Sequence, residues 1–71
     1  MIGYVITAHP SDYPDKYVVR AHHWAGLEHL VSLTPEAVVD SLEEARREVP
    51  PGLLRVPRYV EDDPVIVEWW L

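Results

Sequence analysis

Cysteine is missing from all 71 positions, which excludes disulfides, thiolate metal sites and cysteine nucleophiles. Phenylalanine is missing as well, so aromatic bulk rests on three Trp and four Tyr. Positive charge is scarce: six Lys and Arg face twelve Asp and Glu, for a formal net charge of -6. Nucleic-acid affinity depends on Lys and Arg neutralising phosphates, so no direct DNA or RNA binding is expected. The same balance argues against an anionic membrane surface. No apolar run approaches the ~20 residues of a membrane span, and no basic segment followed by an apolar core marks a signal peptide. The expected location is therefore the cytoplasm. Glycine is rare too. Its three residues are scattered at 3, 26 and 52, and no Gly-rich phosphate loop can be built from them.

A chain of this length is expected to form one domain, residues 1–71, and to bury only about 60% of its unfolded surface. Without disulfides, its core must be extended by tight packing of the large residues or by burial against another subunit. Self-association is therefore an expected option, and the negative charge equally admits a basic protein partner.

Ile2 to Ala8 (IGYVITA) is rich in β-branched and aromatic residues and reads as a strand. Both of its faces are fairly apolar, as suits a central position. His9 to Lys16 (HPSDYPDK) carries turn chemistry. Tyr17 to Trp24 (YVVRAHHW) reads as a second strand, close enough to the first to form an antiparallel hairpin, with a parallel arrangement as the alternative. Residues 25–40 admit two readings. In one, Trp24, Leu27 and Val31 fall at helical spacing, and Thr34-Pro35 opens a second helical stretch. In the other, Leu30, Val31 and Leu33 make a return strand and Ala37-Val38-Val39 ends another. A strand ending near Val39 is favoured, because Asp40-Ser41 is itself a helix start.

From there the local signals agree. Ser41 and Glu44 fit the S-x-x-E capping box, in which each side chain bonds the other residue's backbone N–H. Leu42, Ala45 and Val49 recur at helical spacing, and Pro50-Pro51-Gly52 stops the helix, which is expected over 41–49. Leu53 to Arg58 is a short extended segment that Pro57 confines to a sheet edge or strand end. Tyr59 to Pro64 holds an acidic turn. Val65 to Leu71 (VIVEWWL) is the clearest strand. Val65, Val67, Trp69 and Leu71 form one apolar face, expected to pack on the helix, with Ile66, Glu68 and Trp70 opposite. The expected fold is α+β: a small, mainly antiparallel sheet of three to five strands with one short helix packed on a face.

Candidate chemistry is sparse. Metal binding needs converging ligands, and adjacent His22 and His23 point to opposite faces of a strand. The metal candidates are His9, His22 and His29, since His22 could approach either of the others, with Asp12 as a carboxylate donor. No H-x-x-x-H or H-E-x-x-H spacing supports them. Ser11, Ser32 and Ser41 sit in no context that exposes a nucleophile. Asp62-Asp63 before a proline reads as a solvated turn, and so small a domain has little room for a pocket of ~300 Å³ beside its core. No enzymatic activity and no cofactor are expected. The Trp69-Trp70 pair is more suggestive. On a strand the two indoles point apart, so with Trp69 in the core Trp70 is exposed, covered by Tyr13 or Trp24, or at an interface. Aromatic residues are enriched at interface hot spots, which makes Trp70, Ile66 and Trp24 the interface candidates.

Four stretches carry a resemblance: YVVR (Tyr17 to Arg20), DSLEEAR (Asp40 to Arg46), PPGL (Pro50 to Leu53) and DDPVIVEWWL (Asp62 to Leu71). On these the sequence resembles a group of very short, uncharacterised bacterial and phage-type proteins. The resemblance covers less than half of the chain and implies no catalytic or ligand-binding residue. It supports ending a strand before Asp40. The residues point to a non-enzymatic protein-interaction module, either a small homodimer or an adaptor. Two alternatives stand beside it: an acidic regulator of a nucleic-acid machine acting on a basic protein surface, and a metal-binding module built on His9, His22 and His29.

Overall fold

The computed structural model describes residues 1–71. Its elements are β1 (Ile2–Ala8), β2 (Tyr17–Ala25), β3 (Glu28–Val31), β4 (Ala37–Val39), α1 (Leu42–Arg47), β5 (Arg55–Pro57) and β6 (Ile66–Trp70). All six strands lie in one antiparallel sheet of order β3-β2-β1-β6-β5, and β4 also pairs β2. This is the expected α+β class, with more strands than the three to five expected. The surplus comes from residues 25–40, where both ambiguous segments are strands. β2 is nine residues long and seats them end to end on one edge, β3 against residues 22–25 and β4 against residues 17–19.

Local chemistry explains most of the elements. β1 lies between β2 and β6, and its central Val5 and Ile6, on opposite faces, are both buried. Only two residues separate β2 from β3, and the first of them, Gly26, has φ 60° while Leu27 does not. That is the pattern of a type II′ hairpin turn, which needs glycine at its first central position. Pro57 sits on the edge strand β5, where its missing N–H interrupts no ladder.

Ser41 caps α1, its Oγ accepting the Glu44 N–H at 3.2 Å. The reciprocal bond differs from the expected capping box: Glu44 Oε2 accepts from the Asp40 N–H at 3.0 Å, one residue before the cap. The helix is also shorter than 41–49. The N–H groups of Glu48 and Val49 bond the carbonyls of Ala45 and Arg46, three residues back, which tightens the last turn before Pro50. Six residues are too few for a helix to persist alone, so packing must hold it. Ala45 and Val49 close a buried cluster with Ile6 and Val19, ringed by Tyr4, Tyr17, Val39, Leu42 and Val67.

The face of β6 is where the structure overturns the sequence expectation. Ile6 pairs with Glu68 but Thr7 pairs with Ile66, so Val67 is an extra, bulged residue. A bulge breaks strict alternation. Val67 therefore packs toward the helix together with Trp70, and Glu68 stands opposite Ile6 on the same side. Trp69 pairs with Val5 and points to the other face. The expected Val65–Val67–Trp69–Leu71 core face does not exist as a unit.

A carboxylate thus enters the helix-side interior. Glu68 is 1% exposed. Arg46 of α1 grips it with two hydrogen bonds, Nε to Oε2 at 3.1 Å and Nη2 to Oε1 at 2.8 Å. Arg55 of β5 lies 3.6 Å from Oε1, and the Trp70 indole N–H donates to Oε2 at 2.7 Å. Burial pushes the Glu68 carboxyl up, but the hydrogen bonds from Arg46 and Trp70 and the charges of Arg46 and Arg55 outweigh it. The group is held below its ordinary value of 4.5. A depressed folded-state value means that the unfolded chain binds the proton first, so this stability is present above pH 4.5 and is lost as pH falls through the folded value. Glu68→Gln should cost about 2 kcal/mol at pH 7, or about 10 °C in Tm for a domain of this size. The gap from wild type should shrink as pH falls from 4.5 toward the folded value, below which protonation has removed the same charge. Thermal unfolding followed by circular dichroism across pH 3–7 checks both statements.

Candidate functional site

The face of the sheet that carries no helix is built from Gly3, Val5 and Thr7 of β1 and from Val18, Arg20, His22 and Trp24 of β2, paired across the β1–β2 ladder or next in line. Two loops cover part of it. Arg20 donates to Asp12 at 2.6 Å and to the Leu33 carbonyl at 2.8 Å, which ties loop 9–16 and the β3–β4 connection over one end. At the other side Asp62 anchors the loop between β5 and β6. Its Oδ2 accepts the Trp69 indole N–H at 3.1 Å and the Tyr59 N–H at 3.0 Å.

Between these covers lies a cleft of about 300 Å³ lined by Trp24, Val56, Tyr59, Asp62, Trp69 and Leu71. Four separate parts of the chain supply these walls. Val56 pairs with Trp69 across the β5–β6 ladder, and both face the cleft. Trp24 and Trp69 have ring centroids 6.3 Å apart at a tilt of 47°. Gly3 makes room for this wall. A Cβ at that position would lie 2.5 Å from Leu71 Cδ2 and 2.9 Å from Trp24 Cζ3, so the two side chains lean over bare backbone. Gly3→Ala should displace both, cost about 1–2 kcal/mol and move the Trp24 indole N–H signal in an NMR spectrum of a still folded protein. An unchanged indole signal would contradict this packing.

An imidazole pair backs the cleft. His22 Nδ1 and His29 Nε2 are 2.8 Å apart, and Trp24 stacks on His29 with centroids 4.8 Å apart and planes 10° from parallel. Trp69 meets His22 edge-on at 5.1 Å. Burial first, then the facing His29 and the charge of Arg20, lowers the His22 pKa from its ordinary value of 6.5. The pair can share one proton between the facing nitrogens. Only when both facing nitrogens carry a proton does N–H meet N–H and the bond break. Because the folded value is depressed, the His22 contribution to stability is full above pH 6.5 and is lost as pH falls through the folded value. Tm should drop between pH 7.5 and pH 5, and His22→Gln should flatten that slope while leaving the deeper acid transition of Glu68 in place.

The sequence candidates are distributed over both faces. His22 and His29 meet, as a hairpin allowed. His9 does not join them: its Nδ1 is 2.9 Å from the Pro14 carbonyl oxygen, and Asp12 is paired with Arg20. No group of three or more His, Cys, Asp or Glu side chains is placed to hold a metal ion. Trp24 lines the cleft, and Ile66 is half-buried on the same face, paired with Thr7. Trp70 is on the opposite face, half-buried against the helix-side cluster and bonded to Glu68. The sheet separates it from Trp24. Val56, Tyr59, Asp62, Trp69 and Leu71 were not singled out as site residues by the sequence. Gly3 inside a strand was the available signal, since glycine there often marks a close approach. Searches against protein-family models, curated proteins and solved structures gave no match.

Proposed function

We propose that this chain is a non-enzymatic protein-interaction module that binds through the helix-free face of the sheet, around Trp24, Tyr59 and Trp69. The observation that supports this reading is the uncovered cleft, five of whose six lining residues are apolar. On the helix side Trp70 is taken up by packing and by its bond to Glu68, whereas Tyr59 at the rim of the cleft is 67% exposed. Clustered aromatic side chains in a depression of this kind are the usual anchors of a protein interface. An adaptor bound to a different, basic protein is favoured over a homodimer, since two copies would each bring a net charge of -6.

Tyr59→Ser removes a wall of the cleft without touching the core, and Arg47→Ser alters the helix surface instead. A partner captured from a host extract by the wild-type chain should be retained by Arg47→Ser and lost about tenfold by Tyr59→Ser. Equal retention by both variants would overturn the assignment of the face. Sedimentation velocity over a concentration series separates the two forms of the proposal, since a dimer abolished by Tyr59→Ser would make the partner a second copy.

A further inference from the structure

We propose that the cleft recognises a cationic side chain, namely lysine, methylated lysine or arginine, presented by a basic protein partner. This deepens the interaction reading above and rests on it. Three of the six lining residues are Trp24, Tyr59 and Trp69. The face of an aromatic ring attracts a cation through its quadrupole, most strongly for Trp. A purely apolar guest has no use for an acid in the wall, yet Asp62 is there and is the only charged lining residue.

The state of that carboxylate favours a cation from outside. All of the chain's hydrogen bonds to it fall on Oδ2, from Trp69 and Tyr59. The ion pairs within the chain engage Asp12, Asp40, Glu43 and Glu68, and none engages Asp62. Arg58, the nearest guanidinium in sequence, is directed to the Asp62 main-chain carbonyl at 3.5 Å instead. Glu61 and Asp63 precede and follow Asp62 in the chain and make no ion pair either, so the loop 58–63 sets one cation against three carboxylates. Space agrees with charge. About 300 Å³ is the low end of ligand sites and suits the end of one long side chain better than a cofactor. The exposed Tyr59 leaves a way in for a side chain still attached to its protein.

The test is an NMR titration of the isotope-labelled full chain at pH 7.5, read at the three indole N–H signals. The probes are blocked pentapeptides that differ only in the central side chain: lysine, trimethyllysine, arginine, or neutral norleucine. Trp24 and Trp69 should move saturably with the cationic peptides, while Trp70, tied to Glu68 on the other face, stays still. Norleucine should bind about fivefold more weakly or worse. Asp62→Asn, which keeps an acceptor for Trp69 and Tyr59, should weaken the cationic peptides by about the same factor and leave norleucine unchanged. Raising salt from about 50 to about 300 mM should weaken only the cationic peptides. Equal affinity for norleucine and lysine, or no effect of Asp62→Asn, overturns the cation preference and leaves the interaction reading standing. No saturable shift with any peptide overturns the inference altogether, and the capture experiment then decides the interaction reading on its own.

Discussion

A buried carboxylate holds the parts of this fold in register. Glu68 sits on β6 with 1% of its surface exposed, where an unpaired charge would cost several kcal/mol. Its partners come from three directions: the Arg46 guanidinium from the helix, Arg55 from the edge strand and the Trp70 indole from its own strand. Only ten of the 71 residues are buried, so apolar packing alone positions the six-residue helix loosely. Two hydrogen bonds from the helix and an ion pair from the edge strand, all meeting one side chain, supply the missing specificity. The pattern matches a general use of buried polar groups, in which pairing selects one arrangement among several of similar apolar burial.

The same constraint creates the candidate site. With Glu68 turned toward the helix, Trp70 must follow it and Trp69 must face away. The helix-free face then receives a second large indole beside Trp24, backed by the His22–His29 pair and bordered by Leu71 over Gly3. Asp62 bonds that indole and draws the loop bearing Tyr59 to the rim. Stability on one side of β6 and exposed aromatic surface on the other are therefore two consequences of one register.

Elements whose cause is local were legible from residue order. β1 begins and ends as expected, β2 runs one residue further, and Ser41 caps a helix that follows a strand ending at Val39. Pro57 marks an edge strand, and His22 meets His29 across a hairpin. The orientation of β6 was not legible. Its apolar residues fall on both faces, so alternation alone cannot choose between them, and the habit of placing a charged residue outward selects the wrong side. One bulged residue, Val67, then shifts the alternation partway along the strand. The cleft was hidden for a related reason. Val56, Tyr59 and Asp62 belong to segments that read as an edge and a solvated turn, and neither description says what lies across from them.

By itself, the sequence determined what short-range physics controls. Turn residues, a cap, two consecutive prolines and β-branched runs set the elements, and the missing cysteine and the net charge of -6 narrowed the chemistry. The tertiary structure alone decided which side of β6 is interior and what the other side is for. Burying Glu68 is favourable only when Arg46, Arg55 and Trp70 arrive together, and that convergence depends on strand order and a one-residue bulge. The cleft inherits the same dependence. Trp24, Val56, Tyr59 and Trp69 become neighbours only because the sheet order sets β2, β1, β6 and β5 side by side.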